Sequence, residues 1–199
     1  FDEAAVEEHL AEGEAASAFA VAAALSGGGF VAAEATGARD AIVLQRYSDA
    51  GVPQGVAVRI DRPGAEEQID FLRMVGLADG GFVVAWQASQ RNLSEETPIL
   101  MQVFDANGMA RTGVIDAFED GTPGGPGTLD NFTPWLAATE TGFVVAGRVE
   151  RDVAYRAFDA DGGALGDTAV LGSGSEVRAH SDGDGGVWLS FNRGGAITL

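Results

Sequence analysis

The sequence predicts an all-β protein made of four copies of one unit, each roughly 50 residues long and built from four antiparallel strands. Three observations predict this fold. An apolar strand that directly follows a glycine turn recurs along the chain. An aromatic residue that leads into a second turn follows each of the first three copies. When the chain is treated as a circle, these second turns are spaced by close to one repeat length.

The strongest repeat is a glycine that runs into an apolar strand. Gly29, Gly81 and Gly142 are each followed by Phe-Val, and Gly186 begins a weaker copy with Val-Trp-Leu. Such a constant pattern indicates a structural repeat rather than an accident of composition. One position stands eleven residues before the first residue of each strand, and it is occupied by Phe19, Phe71, Phe132 and Glu176.

The second repeat is an aromatic residue that leads into a tight turn. It runs from Phe104 to Gly108 and from Phe158 to Gly162, with a looser version that begins at Tyr47. Asn-Gly and Asp-Gly dipeptides favour tight turns because these residue types tolerate positive φ. The sequence of each unit therefore predicts, in order, a strand, a glycine turn, a second strand, a variable loop, a third strand, an Asx-Gly turn and a short fourth strand. This pattern is typical of a β-propeller blade.

The two ends of the chain predict how the last unit is completed. The fourth unit stops at Leu199 without its aromatic signature, whereas the chain begins with Phe1-Asp2. We expect a four-repeat β-propeller in which Val6 to Ala11 supply the outer strand of the last blade, because a closed ring leaves no unpaired edge. A fragment of a longer array, or an eight-bladed ring made by a homodimer, is the alternative. The single domain, residues 1–199, then divides into units of approximately 12–60, 61–118, 119–171, and 172–199 plus 1–11.

Charge and composition exclude several classes of partner. The chain carries 30 acidic against 12 basic residues, for a net charge of −18, and it has no cysteine. Nucleic acids and anionic membranes would be repelled by this charge. No apolar stretch is long enough to insert into a membrane. The missing cysteines exclude disulfides, thiolate metal sites and cysteine nucleophiles. We therefore expect no nucleic-acid partner and no membrane insertion.

All four units resemble a repeat of large bacterial secreted proteins, and the resemblance is strongest from Phe71 to Gly113. The stretch Leu77 to Trp86, followed by Gln102 to Gly108, is similar to repeats of adhesin-like and calcium-dependent surface proteins. The resemblance implies a propeller fold and an extracellular or cell-surface location, with the periplasm as the alternative. These motifs are structural, so the resemblance implies the fold much better than the function.

The first strands of the blades are expected to carry a ligand site near the propeller axis, where all blades present side chains to one small volume. Two residues beyond the position of Phe71 and its equivalents come Val21, Arg73, Pro134 and Arg178. Arginine binds carboxylates through paired N–H donors, so these arginines suit an anionic group. An internal arginine–glutamate pairing is the alternative. Trp135 and Trp86 suit sugar stacking, although tryptophan in strands is more often core. The candidate ligand residues are Arg73, Glu176, Arg178, Asp130 and Trp135.

A second candidate site is the acidic turn before the last glycine repeat. Asp182 and Asp184 alternate with glycines there, and oxygen ligands in a tight turn suit a hard cation such as calcium. The alternative is a solvated hairpin turn. The two histidines predict no zinc site, because zinc would need further ligands. His180 is expected to be a hydrogen-bonded residue of the channel.

These features favour a non-catalytic binding or scaffold module of a secreted or surface bacterial protein, with a glycan, cation or protein ligand at the axis or on the loop face. No nucleophile elbow and no phosphate-binding loop is present. A glycan hydrolase or lyase that uses axial carboxylates is the first alternative. A structural repeat that mediates self-association is the second.

Overall fold

The computed structural model describes residues 20–64, 67–90, 98–118, 133–149, 152–194 and 196–198. These residues form fifteen β-strands in four separate antiparallel sheets, which confirms the all-β prediction. None of the described residues belongs to a helix long and apolar enough to cross a membrane.

Each sheet is a simple meander in which consecutive strands are neighbours. The first sheet holds β1 (Ala20–Ala24), β2 (Phe30–Ala35), β3 (Ala41–Tyr47) and β4 (Pro53–Asp61). The second holds β5 (Glu67–Gly76), β6 (Phe82–Gln90), β7 (Ile99–Phe104) and β8 (Ile115–Asp116). The third holds β9 (Trp135–Ala138), β10 (Gly142–Val149), β11 (Asp152–Asp159) and β12 (Ala169–Ser173). The fourth holds β13 (Ser175–Ser181), β14 (Val187–Arg193) and β15 (Ala196–Thr198).

The two sequence repeats meet across one strand pair in each of the first three sheets. The phenylalanine that follows the glycine turn lies opposite the aromatic residue of the second signature, and their rings stack with centroids 4.9 to 5.2 Å apart. Phe82 and Phe104 are one such pair, and both are buried. The glycine before each phenylalanine is required because a Cβ at Gly29 or Gly142 would collide with the carbonyl oxygen of the third strand.

The Asx-Gly turns form as predicted. The carboxylate of Asp105 accepts hydrogen bonds from the backbone N–H groups of Asn107 and Met109, both at 2.8 Å. Asp159 makes the equivalent pair of bonds. Gly108 adopts a φ of 82°, in the region that disfavours residues with a Cβ.

The apolar faces of neighbouring sheets pack against each other. One core lies between the first and second sheets, one between the second and third, and one between the third and fourth. The first strands of the sheets approach closely: β5 contacts both β1 and β9, and β9 contacts β13. At Gly76, the end of β5, an added Cβ would meet the carbonyl oxygen of Ala24 at the end of β1. The first strands β1, β5, β9 and β13 therefore lie side by side in that order, and we call them the central strands.

The fourth sheet has three strands among the described residues, and Ile197 on its last strand is 80% exposed. The predicted closing strand, Val6 to Ala11, lies outside the described residues. Ring closure therefore stays a prediction.

Candidate functional site

The central strands place four side chains at one equivalent register position. In each sheet, this residue pairs with the fourth residue of the apolar repeat, which lies on the second strand. The prediction that Pro134 is the third of these residues is wrong. Four residues connect β9 to Phe143 on β10, whereas five connect the corresponding strands of the other sheets, so the position shifts by one residue. The four residues are Val21, Arg73, Trp135 and Arg178.

Two arginines from different sheets converge on one tryptophan. The guanidinium carbon of Arg73 lies 5.0 Å from the centre of the Trp135 ring, and that of Arg178 lies 5.8 Å from it. The ring of His180 has its centre 6.4 Å from that of Trp135, tilted by 42°. We call Arg73, Trp135, Arg178 and His180 the Trp135 cluster. Its members come from β5, β9 and β13, so it forms only when three sheets are assembled.

A bulge in the central strand precedes each arginine of the cluster. Phe71 and Glu176 have φ angles of 51° and 54°, a left-handed conformation that is uncommon for residues other than glycine. The pairing register shifts between Asp70 and Arg73 on β5, and between Ser175 and Arg178 on β13. A bulge changes the direction in which the following side chains point. The repeated sequence position occupied by Phe71 and Glu176 is therefore a β-bulge. This bulge determines the direction in which the two arginine side chains point.

Among the described residues, no carboxylate neutralises the two arginines of the cluster. Arg73 is half-buried, and this burial lowers the pKa of its guanidinium. Its Nη1 donates a hydrogen bond to the carbonyl oxygen of Leu72 at 2.8 Å. Within the part of the chain that the structure describes, neither Arg73 nor Arg178 forms a salt bridge with a carboxylate. Glu176 is exposed and is likewise without a salt bridge among these residues, so the internal arginine–glutamate pair considered from the sequence is not formed.

A cavity of about 630 Å³ lies where the central strands end. The turns after the first strands of all four sheets line it, including the carboxylate-bearing residues Glu140 and Asp184. Arg73, Trp135 and Arg178 each lie three residues before the last residue of their strand, a distance of roughly 10 Å along an extended chain, whereas His180 lies one residue before it. The hydroxyl-bearing residues that line the cavity are Ser26, Thr139 and Ser181.

Asp182 supports its own turn in the way that Asp105 and Asp159 support theirs. Its Oδ1 accepts hydrogen bonds from the N–H groups of Asp184 and Gly186, both at 2.9 Å. Both aspartates are exposed. Among the described residues, no group of three or more histidines or carboxylates could hold a metal ion. Calcium binding at Asp182 and Asp184 stays a prediction.

The other candidate residues have different outcomes. Trp86 is fully buried in the core between the first and second sheets, as expected for a tryptophan in a strand, so it offers no surface for sugar stacking. Asp130 lies outside the described residues. Trp188, which the sequence did not single out, is 58% exposed on β14.

Sequence reasoning also missed a buried carboxylate beside the first bulge. Asp70 is buried, pairs with the guanidinium of Arg39 and accepts a hydrogen bond from the hydroxyl of Ser89. Arg39 lies between β2 and β3, so this ion pair joins the first sheet to the second. No local pattern marks it, because Arg39 stands 31 residues from Asp70 in the chain.

No protein-family model matches the sequence, and no curated protein is similar to it. Six chains of solved structures match, and one of them is described as the Dos1 propeller. It superposes with a TM-score of 0.52 and 12% sequence identity, over 85% of this chain and 41% of that chain. At this identity the similarity shows the fold alone, and it confirms a propeller-like arrangement. This chain spans about two fifths of the Dos1 propeller chain.

Proposed function

We propose that the chain is a non-catalytic binding module whose ligand binds at the Trp135 cluster. One observation carries the proposal: guanidinium groups from two different sheets meet on one tryptophan ring, and no carboxylate among the described residues neutralises them. A half-buried guanidinium such as that of Arg73, which has no salt bridge with a carboxylate among the described residues, is unfavourable for folding, and the ring compensates for only part of that cost. Such an arrangement supports a binding role better than a structural one.

The location of the cluster also supports this function. Central strands of a propeller-like fold bring side chains from several sheets into one small volume, which suits recognition of a small group. The bulges at Phe71 and Glu176 occur beside both arginines, and left-handed backbone of this kind often accompanies functional sites. The repeat therefore shapes the strand at the point where the cluster forms.

The same fold supports a closed ring of four blades. The turns that follow the first strands of all four sheets line one cavity. Among the described residues, β15 is the last strand of the fourth sheet, and its Ile197 is exposed. We propose that residues 6–11 pair with this strand. The proposal of a secreted or surface location in bacteria depends on the sequence resemblance alone.

A hydrolase or lyase acting on glycans is the alternative function. It would need two carboxylates beside the bound sugar. Glu176 on β13 is one candidate, and Asp130 lies outside the described residues. Incubation with glycans that bind, followed by analysis of the products, separates this alternative from binding alone.

Binding to an immobilised glycan library tests the proposal, with the wild-type chain and the Arg178→Ala variant compared. Arg178 is exposed, so its truncation removes the contact with the Trp135 ring without opening a buried cavity. Arg59→Ala is the matched control, because Arg59 is an exposed arginine on the outer strand β4. We expect glycan capture that Arg178→Ala reduces and Arg59→Ala retains. Equal capture by all three proteins would contradict binding at the cluster.

A further inference from the structure

The Trp135 cluster has spare hydrogen-bond donors as well as charge. A guanidinium carries five N–H donors in a fixed plane. Among the described residues, Arg73 uses one nitrogen on the carbonyl oxygen of Leu72, and Arg178 donates to no acceptor. A carboxylate is the acceptor that best matches the paired N–H groups of arginine. The cluster thus offers unused N–H donors from two arginines to an incoming carboxylate.

The charge of the whole chain limits how many negative charges the ligand carries. With a net charge of −18, the protein repels anions at long range, and the repulsion grows with the charge of the ligand. A single carboxylate is repelled less than a phosphate dianion or a dense polyanion. Local attraction by two guanidinium groups therefore favours a ligand whose carboxylates are isolated from each other.

The cavity at the ends of the first strands favours a neutral, hydroxyl-rich part of the same ligand. It is lined by none of the cluster's side chains and lies roughly 10 Å along the strands from the two arginines. Glu140 and Asp184 line it and would repel a second anion, but they accept hydrogen bonds from hydroxyl groups. The hydroxyl-bearing side chains of the lining add further donors and acceptors. A volume of about 630 Å³ falls within the usual size of small-molecule sites. Each sugar ring carries several hydroxyl groups that can form hydrogen bonds with these side chains.

We infer that the ligand is an oligosaccharide in which isolated uronate carboxylates alternate with neutral sugars, with one carboxylate bound by Arg73 and Arg178. This inference rests on the proposed binding function. Trp135 is half-buried, so part of this residue is accessible to a ligand. The apolar face of a pyranose ring packs on such an aromatic surface.

Calorimetric titration with a hyaluronan tetrasaccharide, in which glucuronate alternates with a neutral sugar, tests the inference. Its carboxyl-reduced form has the same sugar skeleton without the charge and serves as the matched ligand. We expect saturable binding of the acidic form and at least about tenfold weaker binding of the reduced form, the size expected for loss of charge-assisted hydrogen bonds. Arg73→Gln and Arg178→Gln should each weaken binding of the acidic form about as much.

The variants are checked for folding by circular dichroism, and Arg178→Gln keeps the test decisive because Arg178 is exposed. If the protein bound the acidic and reduced forms with equal affinity, and Trp135→Ala bound neither, the carboxylate inference would be contradicted. The proposed binding function would still hold. Stronger binding of contiguous polygalacturonate would contradict the requirement for isolated carboxylates. No binding of any saccharide, together with a lower melting temperature of ligand-free Arg178→Gln, would show that the arginines pair within the chain, and both proposals would fail.

Discussion

The guanidinium carbon of Arg73, on the first strand of the second sheet, lies 5.0 Å from the centre of the Trp135 ring, on the first strand of the third. The two residues occupy the same register position of their sheets, one opposite Ala85 and the other opposite Ala146. The same repeat position thus carries arginine in one sheet and tryptophan in the next, and these complementary side chains contact each other.

Replacement of Glu176 by glycine should stabilise the protein. Glu176 holds a φ of 54°, where glycine is unstrained and a β-branched residue is strongly disfavoured. We expect Glu176→Gly to raise the free energy of unfolding by about 1 kcal/mol, measured by denaturant titration. Glu176→Val is the matched variant and should lower it. If both variants change the free energy of unfolding in the same direction, the bulge does not hold strained backbone.

Replacement of Gly142 by alanine should destabilise the third sheet. Its Cβ would collide with the carbonyl oxygen of Phe158 and would come within 2.8 Å of the Cα of Asp159. We expect the free energy of unfolding to fall by about 1–3 kcal/mol, the usual range for overpacking. Gly37→Ala is the control, because nothing lies within 4 Å of a Cβ there. Equal stability of the two variants would refute the close approach of the strands.

Stability should fall in acid partly through Asp79. Burial acts to raise the pKa of Asp79, but hydrogen bonds from the N–H of Gly81 and from Arg111, together with the charge of Arg111, outweigh it and hold the pKa below its ordinary value. A carboxyl whose pKa is lower in the folded state stabilises the fold above its unfolded pKa of about 3.9. That contribution is lost as the pH falls through the folded pKa.

Melting temperatures measured from about pH 5 down to about pH 2 check this prediction. The wild-type protein should lose stability more steeply than Asp79→Asn, which has no charge to lose. Arg111→Gln should also make the melting temperature depend less steeply on pH, because it removes a hydrogen-bond donor that lies 2.6 Å from Asp79. Identical slopes for wild type and Asp79→Asn would count against the contribution of this ion pair.

Deletion of residues 1–11 should destabilise the protein sharply if Val6 to Ala11 complete the fourth sheet. The three-stranded sheet would then keep an unpaired edge at β15, where Ile197 is 80% exposed. Deletion of residues 1–5 is the matched control, because it keeps the proposed strand. We expect a lower melting temperature for the longer deletion alone. A melting curve unchanged by the longer deletion would remove the closed-ring proposal.

The sequence predicted those structural features that depend on residues within a single repeat, because each repeat forms one sheet. The glycine repeats and the aromatic turns meet as stacked pairs such as Phe82 and Phe104, so local patterns were enough to predict the sheets. Counting along the chain failed at Pro134, because one turn is a residue shorter and the register shifts. The ion pair of Asp70 with Arg39 joins two sheets and has no local pattern. Sequence could not separate Trp86 from Trp135, since burial depends on which face packs against the next sheet.

Tryptophan fluorescence tests binding at the Trp135 cluster most directly, because the chain has three tryptophans and Trp86 is fully buried. Titration with the hyaluronan tetrasaccharide should change the emission of the wild-type protein in a saturable way. The change should persist in Trp188→Phe, which alters an exposed residue outside the cluster, and should disappear in Trp135→Phe. A saturable change that remains in Trp135→Phe and disappears in Trp188→Phe would contradict ligand binding at the cluster.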